Sequence, residues 1–225
     1  MNLEQARFNM IEQQIRPWDV LDAPVLELLG VVKREDFVPL AHKAMAFVDM
    51  EVPLRSPTDE AMRLGQCMLA PKVEARLLQD LHVHKHETVL EIGTGSGYMA
   101  ALLAHRAQRV VSLEIVPELA AMARGNLQRA GVHNAEVREA DGASNAAVQG
   151  PYDVIVLSGS VAEVPASLLA QLKVGGRLAA IVGHEPMMRA TLITRTGDNA
   201  WVTTQPWDTV APRLLNFAAP SRFQF

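Results

Sequence analysis

Cysteine is almost absent: Cys67 stands alone in 225 residues, which excludes an internal disulfide and a fold stapled by cross-links. No N-terminal stretch joins a basic start to an apolar core as a secretory signal does, so a reducing cytoplasm is the expected compartment. Long apolar runs are missing as well. Even Ala100 to Ala104 is cut short by His105 and Arg106, far below the roughly 20 residues that span a bilayer, and a soluble chain with no membrane partner is expected. Nor does charge of one sign accumulate. The formal net charge is -4, with 21 Lys and Arg scattered among 25 Asp and Glu, leaving no basic block for a polyanion and so no nucleic-acid partner. Repeats and low-complexity segments do not occur. What remains, 49% hydrophobic and 20% charged residues, suits an ordinary globular protein with a substantial core.

Several chemistries lack their residues too. His82, His84 and His86 alternate, but no Cys or carboxylate joins them at ligand spacing before Glu87, so a solvated helix-to-strand loop and no metal site are expected. Cys67 has no adjacent histidine to make it a nucleophile and reads as a small buried side chain. No Gly-x-Ser-x-Gly elbow and no Walker turn is present.

The apolar spacing from Leu3 to Ile15 predicts a first helix that stops before Pro17, and Asp22 to Val32 predicts a second, with Asp22 as cap and Pro24 in the first turn. Phe37-Val38-Pro39 and Ala46 to Asp49 are expected to be extended or irregular, and Ser56 to Glu60 an exposed turn. Pro71 to Leu81 places Val73, Leu77, Leu78 and Leu81 on one helical face. Beyond residue 87, short apolar runs alternate with helical stretches, as βαβ units of a mainly parallel sheet do. The expected strands are Thr88 to Ile92, Arg109 to Glu114, Ala135 to Glu139, Tyr152 to Leu157 and Gly176 to Val182. Two more, Ala190 to Thr194 and Trp201 to Gln205, flank the hairpin turn Thr196-Gly197-Asp198-Asn199. Ala219 to Phe225 is expected to be a loose tail. Residues 1-80 then form an N-terminal helical, substrate-covering extension and 81-218 a cofactor-binding core, within a single compact domain.

The strongest chemical signal is Val89-Leu90-Glu91-Ile92-Gly93-Thr94-Gly95-Ser96-Gly97-Tyr98, a buried strand entering a glycine turn and then an apolar helix over Met99 to Ala104. Such a turn brings bare backbone N–H groups and a helix N-terminus against a nucleotide. A dinucleotide turn is written G-x-G-x-x-G/A, whereas here the spacing is G-x-G-x-G, with Tyr98 where the third small residue would stand. That spacing is similar to the S-adenosylmethionine-dependent methyltransferase version. Glu114 ends the second strand 17 residues after Gly97, placed to accept both ribose hydroxyl hydrogen bonds. Asp141-Gly142 follows the third strand, where many methyltransferases set an acid against the adenine amino group. The expected architecture is α/β, a Rossmann-like class I methyltransferase fold: an open, mainly parallel sheet with a C-terminal antiparallel hairpin and an N-terminal helical extension. The cofactor is expected to be S-adenosyl-L-methionine, bound by Glu91, Gly93, Thr94, Gly95, Ser96, Gly97, Glu114, Asp141 and Gly142.

From about Arg7 to Pro212 the chain resembles the protein-L-isoaspartate O-methyltransferase family. The matching stretches are Lys33 to Pro39, Ala46 to Asp49, Gly65-Gln66 with Pro71, Leu90 to Tyr98, and Val164-Pro165 with Leu168, Gln171-Leu172 and Gly175-Gly176. The resemblance implies methylation of the free carboxylate of isoaspartyl residues in damaged proteins, which begins their return to aspartyl linkage. The acceptor side departs from the pattern. The family's Gly-Gln-Thr-Ile-Ser-x-Pro run is Gly65-Gln66-Cys67-Met68-Leu69-Ala70-Pro71 here, so Leu69 occupies the serine position, with Asp49 and Cys67 nearby, and no catalytic residue is assigned. The closing Arg-Phe-Val-Pro-Leu segment is altered to Val210-Ala211-Pro212-Arg213-Leu214, and the link from Leu54 to Gly65 is longer than usual. Poor methylation of isoaspartyl peptides is therefore expected. Another protein or a small molecule as acceptor, or S-adenosylmethionine binding without turnover, stay open as alternatives, and an NAD-dependent oxidoreductase stands well behind them.

Overall fold

A computed structural model describes residues 2–144 and 149–219; of the expected tail only Ala219 lies within them. Helix α1 (Leu3–Met10) starts where the Asn2 side chain accepts the Gln5 N–H at 3.2 Å. Beyond Met10 the expected helix widens into a π-helical stretch, Ile11–Ile15, and then a 3-10 turn, Arg16–Trp18. The wider turn keeps Ile11 and Ile15 both buried before Pro17, which offers no N–H to continue the ladder. Helix α2 (Ala23–Val31) follows Asp22, whose side chain makes no capping bond. The loop is held from outside instead, because Leu21 and Asp22 donate their N–H groups to Gln79 Oε1 at 2.7 and 2.9 Å.

Two expectations in the next segment are corrected. Ala46 and Phe47 close a 3-10 stretch, Leu40–Phe47, in place of an extended run, since both side chains turn into the core and Phe47 C=O accepts from Gln14. The Ser56 to Glu60 turn opens into helix α3 (Thr58–Arg63), whose first turn carries Asp59 and Glu60 at its positive end. Its flanks pair: strands β1 (Val52–Pro53) and β2 (Cys67–Met68) run antiparallel, with Val52 opposite Met68. Helix α4 covers Pro71–Leu81, as its apolar spacing predicts, and His82 ends it in a left-handed conformation (φ 46°).

The main sheet contains β3 (Thr88–Ile92), β4 (Arg109–Glu114), β5 (Ala135–Glu139), β6 (Tyr152–Val161), β7 (Leu172–His184), β8 (Met187–Gly197) and β9 (Ala200–Asp208). Helices α5 (Tyr98–Arg106), α6 (Pro117–Arg129) and α7 (Ala166–Leu169) connect them. The order is β5-β4-β3-β6-β7-β8-β9, parallel up to β7 and antiparallel for the last two pairs. The last four strands outrun their apolar runs, because ladder pairing continues through the polar residues of the hairpin. The chain moves outward from β3 to β5, then crosses to β6 on the other side of β3. This reversal leaves a crevice at the carboxyl end of β3, the usual ligand position in open α/β sheets.

Alternate residues of β3 enter opposite layers. Val89 joins α2, α4, α5 and α6 in one core, whereas Leu90 and Ile92 join Val111, Ile155, Leu157 and Leu178 in the other. That double burial is why the strand is a continuous apolar run broken only by Glu91. Leu102, fully buried on α5, sits in the first core, while Leu40 is 86% exposed. Leu102→Ala should lower unfolding free energy by about 2 to 5 kcal/mol in urea titrations, and Leu40→Ala by less than about 0.5. Equal effects would contradict this placement of the core.

Candidate functional site

The crevice is built around the turn after β3. Gly93, Gly95 and Gly97 take φ values of 93, 53 and 86°, a region that residues with a Cβ rarely enter. Gly97 also lets α5 approach α6, since a Cβ there would lie 3.2 Å from Ala123 Cβ. The expectation of bare turn N–H groups is corrected for four of the five turn residues, Ser96 being the exception. Gly93 and Thr94 donate to Leu113 C=O at 2.9 and 3.3 Å, Gly97 donates to Thr94 C=O at 2.9 Å, and Gly95 donates to Glu114 Oε2 at 2.8 Å. These groups are used to hold the turn against β4, and what the glycines offer a ligand is close approach.

Beneath the turn lies a carboxylate on the buried strand. Glu91 is fully buried, and its two oxygens accept from Ser112 Oγ of β4 at 2.6 Å and Ser158 Oγ of β6 at 2.8 Å. Thr94 in turn shares a hydrogen bond with Ser112. Burial pushes the Glu91 carboxyl up to about 7, against the pull of the two serines and with a further push from the Glu114 charge. Glu91 therefore braces the turn from behind and is not among the residues lining the cleft. Thr94 and Ser96, at 4% and 2% exposure, and Gly97 lie behind it too.

The structure brings the other cofactor candidates together. Gly93, Gly95, Glu114, Asp141 and Gly142 line one cleft with Ile92, Ile115, Val116, Leu119 and Phe217. Glu114 accepts the N–H groups of Gly95 and Val116 at 2.8 and 3.0 Å, and burial holds its carboxyl above the usual range despite them. Each of its oxygens retains a second acceptor site. Asp141 is oriented by Ala143 N–H at 2.9 Å and by Asn216 Nδ2 at 2.8 Å. The second of these contacts, and the closure of the cleft by Leu214, Leu215 and Phe217, carry no signal in the sequence.

The opposite wall is β2 and its neighbours. Gly65, Gln66 and Cys67 line the cleft, and a Cβ on Gly95 would stand 3.4 Å from Leu54 Cδ1 and 3.9 Å from Cys67 C=O. The Leu69 side chain does not reach the cleft; it belongs to the core under α4 and α5. Its C=O accepts from Arg34 at 2.7 Å, and this buried guanidinium also reaches Met68 sulfur at 3.0 Å and Glu74 at 3.7 Å. Asp49 is likewise outside the cleft, paired with Lys72 at 2.8 Å. Cys67, unlike Leu69, is among the acceptor-motif residues that line the cleft. Burial pushes its thiol up to about 12, helped by the charge and the hydrogen bond of Glu51, a residue with no flag in the sequence. Glu51 is itself raised by burial and by the Glu185 charge.

These residues suit a nucleoside bearing a short charged chain: acceptor oxygens on Glu114 for ribose hydroxyls, Asp141 for an exocyclic amine, and an apolar bed for a base. A family model described as Protein-L-isoaspartate(D-aspartate) O-methyltransferase matches residues 5–210. The chain belongs to that family. It is 41% identical over 192 residues to a protein-L-isoaspartate O-methyltransferase of Methanoculleus marisnigri, covering 85% of this chain and 84% of the relative. A second such relative, from Marinobacter nauticus, is 39% identical over 201 residues, covering 89% and 88%. Among solved structures, a candidate protein-L-isoaspartate O-methyltransferase of Plasmodium falciparum, crystallised with S-adenosyl-L-homocysteine, superposes at a TM-score of 0.74. It is 18% identical and covers 92% of this chain and 97% of its own, which supports the fold. The protein is thus an S-adenosylmethionine-dependent methyltransferase with an open α/β sheet. No helix among the described residues is long and apolar enough to cross a membrane.

Glu114→Ala should weaken S-adenosylhomocysteine binding by about 1.5 to 3 kcal/mol in calorimetry, the range for a hydrogen bond to a charged group. Gly95→Val should abolish it, since a β-branched residue is strained at φ 53°. Unchanged affinity in a folded Glu114→Ala protein would make that acid a bystander.

Glu91 generates a separate expectation. Folding raises its pKa from 4.5 to about 7, so its contribution to stability is full below the unfolded value and is lost as pH rises toward the folded one. The melting temperature of Glu91→Gln relative to wild type should therefore rise between about pH 4.5 and pH 7.5. A gap that stays constant across that range would show that Glu91 keeps its unfolded pKa.

Proposed function

We propose that this enzyme transfers a methyl group to the free carboxylate of isoaspartyl residues in proteins or peptides, as a repair activity of the cytoplasm. What carries the reading is the cleft itself, with cofactor-type groups on one wall and the family's acceptor segment, Gly65 to Cys67, on the other. When bound, S-adenosylmethionine supplies a sulfonium methyl: the C–S bond breaks as the O–C bond forms, the electron pair goes to sulfur and the carboxylate loses its charge. Such an acceptor is already ionised at neutral pH and needs no strong base. The protein's part is alignment, worth up to roughly 7 to 11 kcal/mol in favourable intramolecular cases.

The residues divide that work. Glu114 and Asp141 would hold the nucleoside, and the Gly95 turn, packed against Leu54 and Cys67, fixes how far the acceptor strand stands from it. The Cys67 thiol, pushed up to about 12, stays protonated and does not compete for the methyl group. Residues 1-80 would serve as the cover of the acceptor side over a cofactor core of 81-218. Since the Leu69 side chain is packed in the core, the loss of the family serine weakens acceptor binding less than its position in the motif implies. The weaker contact is at Cys67. A second reading is favoured by Glu51: a carboxylate raised by burial beside the cleft-lining thiol could deprotonate a hydroxyl acceptor on another protein or a small molecule.

A radiolabelled-methyl assay with an isoaspartyl peptide and its aspartyl counterpart separates these readings, because a methyl ester releases methanol in base and an ether does not. Methylation confined to the isoaspartyl peptide and labile in base is expected. Cys67→Thr should raise its kcat/KM by about 2- to 12-fold, the worth of one neutral hydrogen bond, and Leu69→Ser should leave it within about twofold. No transfer to either peptide, or a base-stable product, would overturn the carboxylate reading.

A further inference from the structure

Arg213 is held in an unusual state. Its backbone is fixed by contacts that do not involve its side chain: Ser160 N–H donates to Pro212 C=O at 2.7 Å, Leu214 N–H donates to Ser160 C=O at 2.9 Å, and Arg213 itself bridges Ser160 in parallel. Glycines make room for this segment. A Cβ at Gly65 would stand 2.9 Å from Pro212 Cβ, and one at Gly93 or Gly159 would lie 2.8 or 2.7 Å from Leu214 Cδ2. The guanidinium so placed has few partners. Nη2 donates to Gly183 C=O at 2.7 Å and lies 3.4 Å from His184 Nδ1. Nη1 is covered and has no hydrogen-bond partner among the described residues.

Charge sharpens the point. Among the described residues lining the cleft, Glu114 and Asp141 are the acids and Arg213 is the one cation. Glu51 stands behind Cys67 under the influence of Glu185, so a carboxylate entering on this side meets negative charge unless a cation receives it. An arginine without a carboxylate partner among the described residues, with an unused N–H, is suited to that task, because its planar fork matches a carboxylate in two parallel bonds. A covered N–H without a partner is costly in the free protein, and turning it onto an entering anion removes the cost.

We propose that Arg213 anchors the acceptor's carboxylate and is the specificity-determining cation of the cleft. This rests on the carboxylate reading above. The guanidinium binds the acceptor anion, each of whose oxygens keeps a lone pair for the methyl group, and it takes no part in holding the cofactor.

The test is steady-state methylation of an isoaspartyl peptide by wild type, Arg213→Gln and Arg213→Lys, with calorimetry of S-adenosylhomocysteine and a thermal melt on each. Arg213→Gln should raise KM for the peptide by about tenfold or more, as loss of a charge-assisted bidentate contact does. Its kcat and its S-adenosylhomocysteine affinity should stay within about threefold of wild type, and Arg213→Lys should recover part of the loss because it keeps the charge. An unchanged KM in a folded Arg213→Gln protein overturns the proposal. A parallel loss of S-adenosylhomocysteine affinity also overturns it, by assigning the guanidinium to the cofactor's own carboxylate. If Arg213→Gln does not fold, a wild-type KM together with reduced kcat in Arg213→Lys is the refuting result. A wild-type protein that methylates no isoaspartyl peptide rejects the carboxylate reading first, and this anchor with it.

Discussion

One buried carboxylate holds the site in shape. Glu91 accepts from a serine on each neighbouring strand, and Ser112 passes the linkage on to Thr94 in the glycine turn. Three strands and the turn are thereby tied at the reversal point of the sheet, where the crevice opens. A charge taken fully out of water is costly, and hydrogen bonds from two serines are what make it tolerable. An apolar residue in its place would leave both hydroxyls without that acceptor and the turn without its brace. The Glu114 carboxylate extends the same arrangement to the surface, receiving the Gly95 N–H on one side while facing the cleft on the other.

The acceptor wall depends on a second buried group. Arg34, fully buried, donates to the Leu69 C=O and touches Met68, so it sets the height of the strand that carries Cys67. Behind it, Glu74 is pushed up to about 8 by burial against the pull of Arg34, and the ring of Tyr98 lies 5.8 Å from the guanidinium. Tyr98 is the first residue of the helix that begins at the glycine turn, and its ring meets Phe37 edge-on at 5.5 Å. Asn126 completes the connection by donating to Ser96 C=O at 2.8 Å. The N-terminal segment is thus packed onto the turn itself, which makes the separation of the cleft's two walls a property of the core and not of a loose cover.

Much of this was legible in the residues. Val89 to Tyr98 announces strand, turn and helix together because burial on both faces demands a continuous apolar run and the turn demands glycine. Pro71 to Leu81 and the first three parallel strands follow from apolar spacing in the same way. Other segments were decided by contacts between distant residues. Thr58–Arg63 forms a helix where turn residues cluster, and the loop before α2 is held by Gln79, more than fifty residues away. The candidate site divides along the same line. Gly93, Gly95, Glu114 and Asp141 stand beside the glycine motif or at strand ends, positions that spacing can locate. Glu91 stands there too, but its burial, which moves it from contact to support, depends on Ser112 and Ser158.

By itself, then, the sequence determined the class of the protein: the alternation of apolar runs and helices, the G-x-G-x-G turn and the acids that follow the strands are local patterns, and local backbone chemistry is enough to read them. Which motif residue lines the cleft was left to tertiary structure. Leu69 and Cys67 are two residues apart, and no local rule sends one into the core and the other into the cleft. Arg34 and the β1–β2 pairing do so, through contacts made only when segments well separated in the chain meet, 35 residues apart for Arg34 and Leu69. Arg213 follows the same logic, since its place beside the cleft comes from Ser160 and from the space left by Gly65, Gly93 and Gly159, none of them near it in sequence.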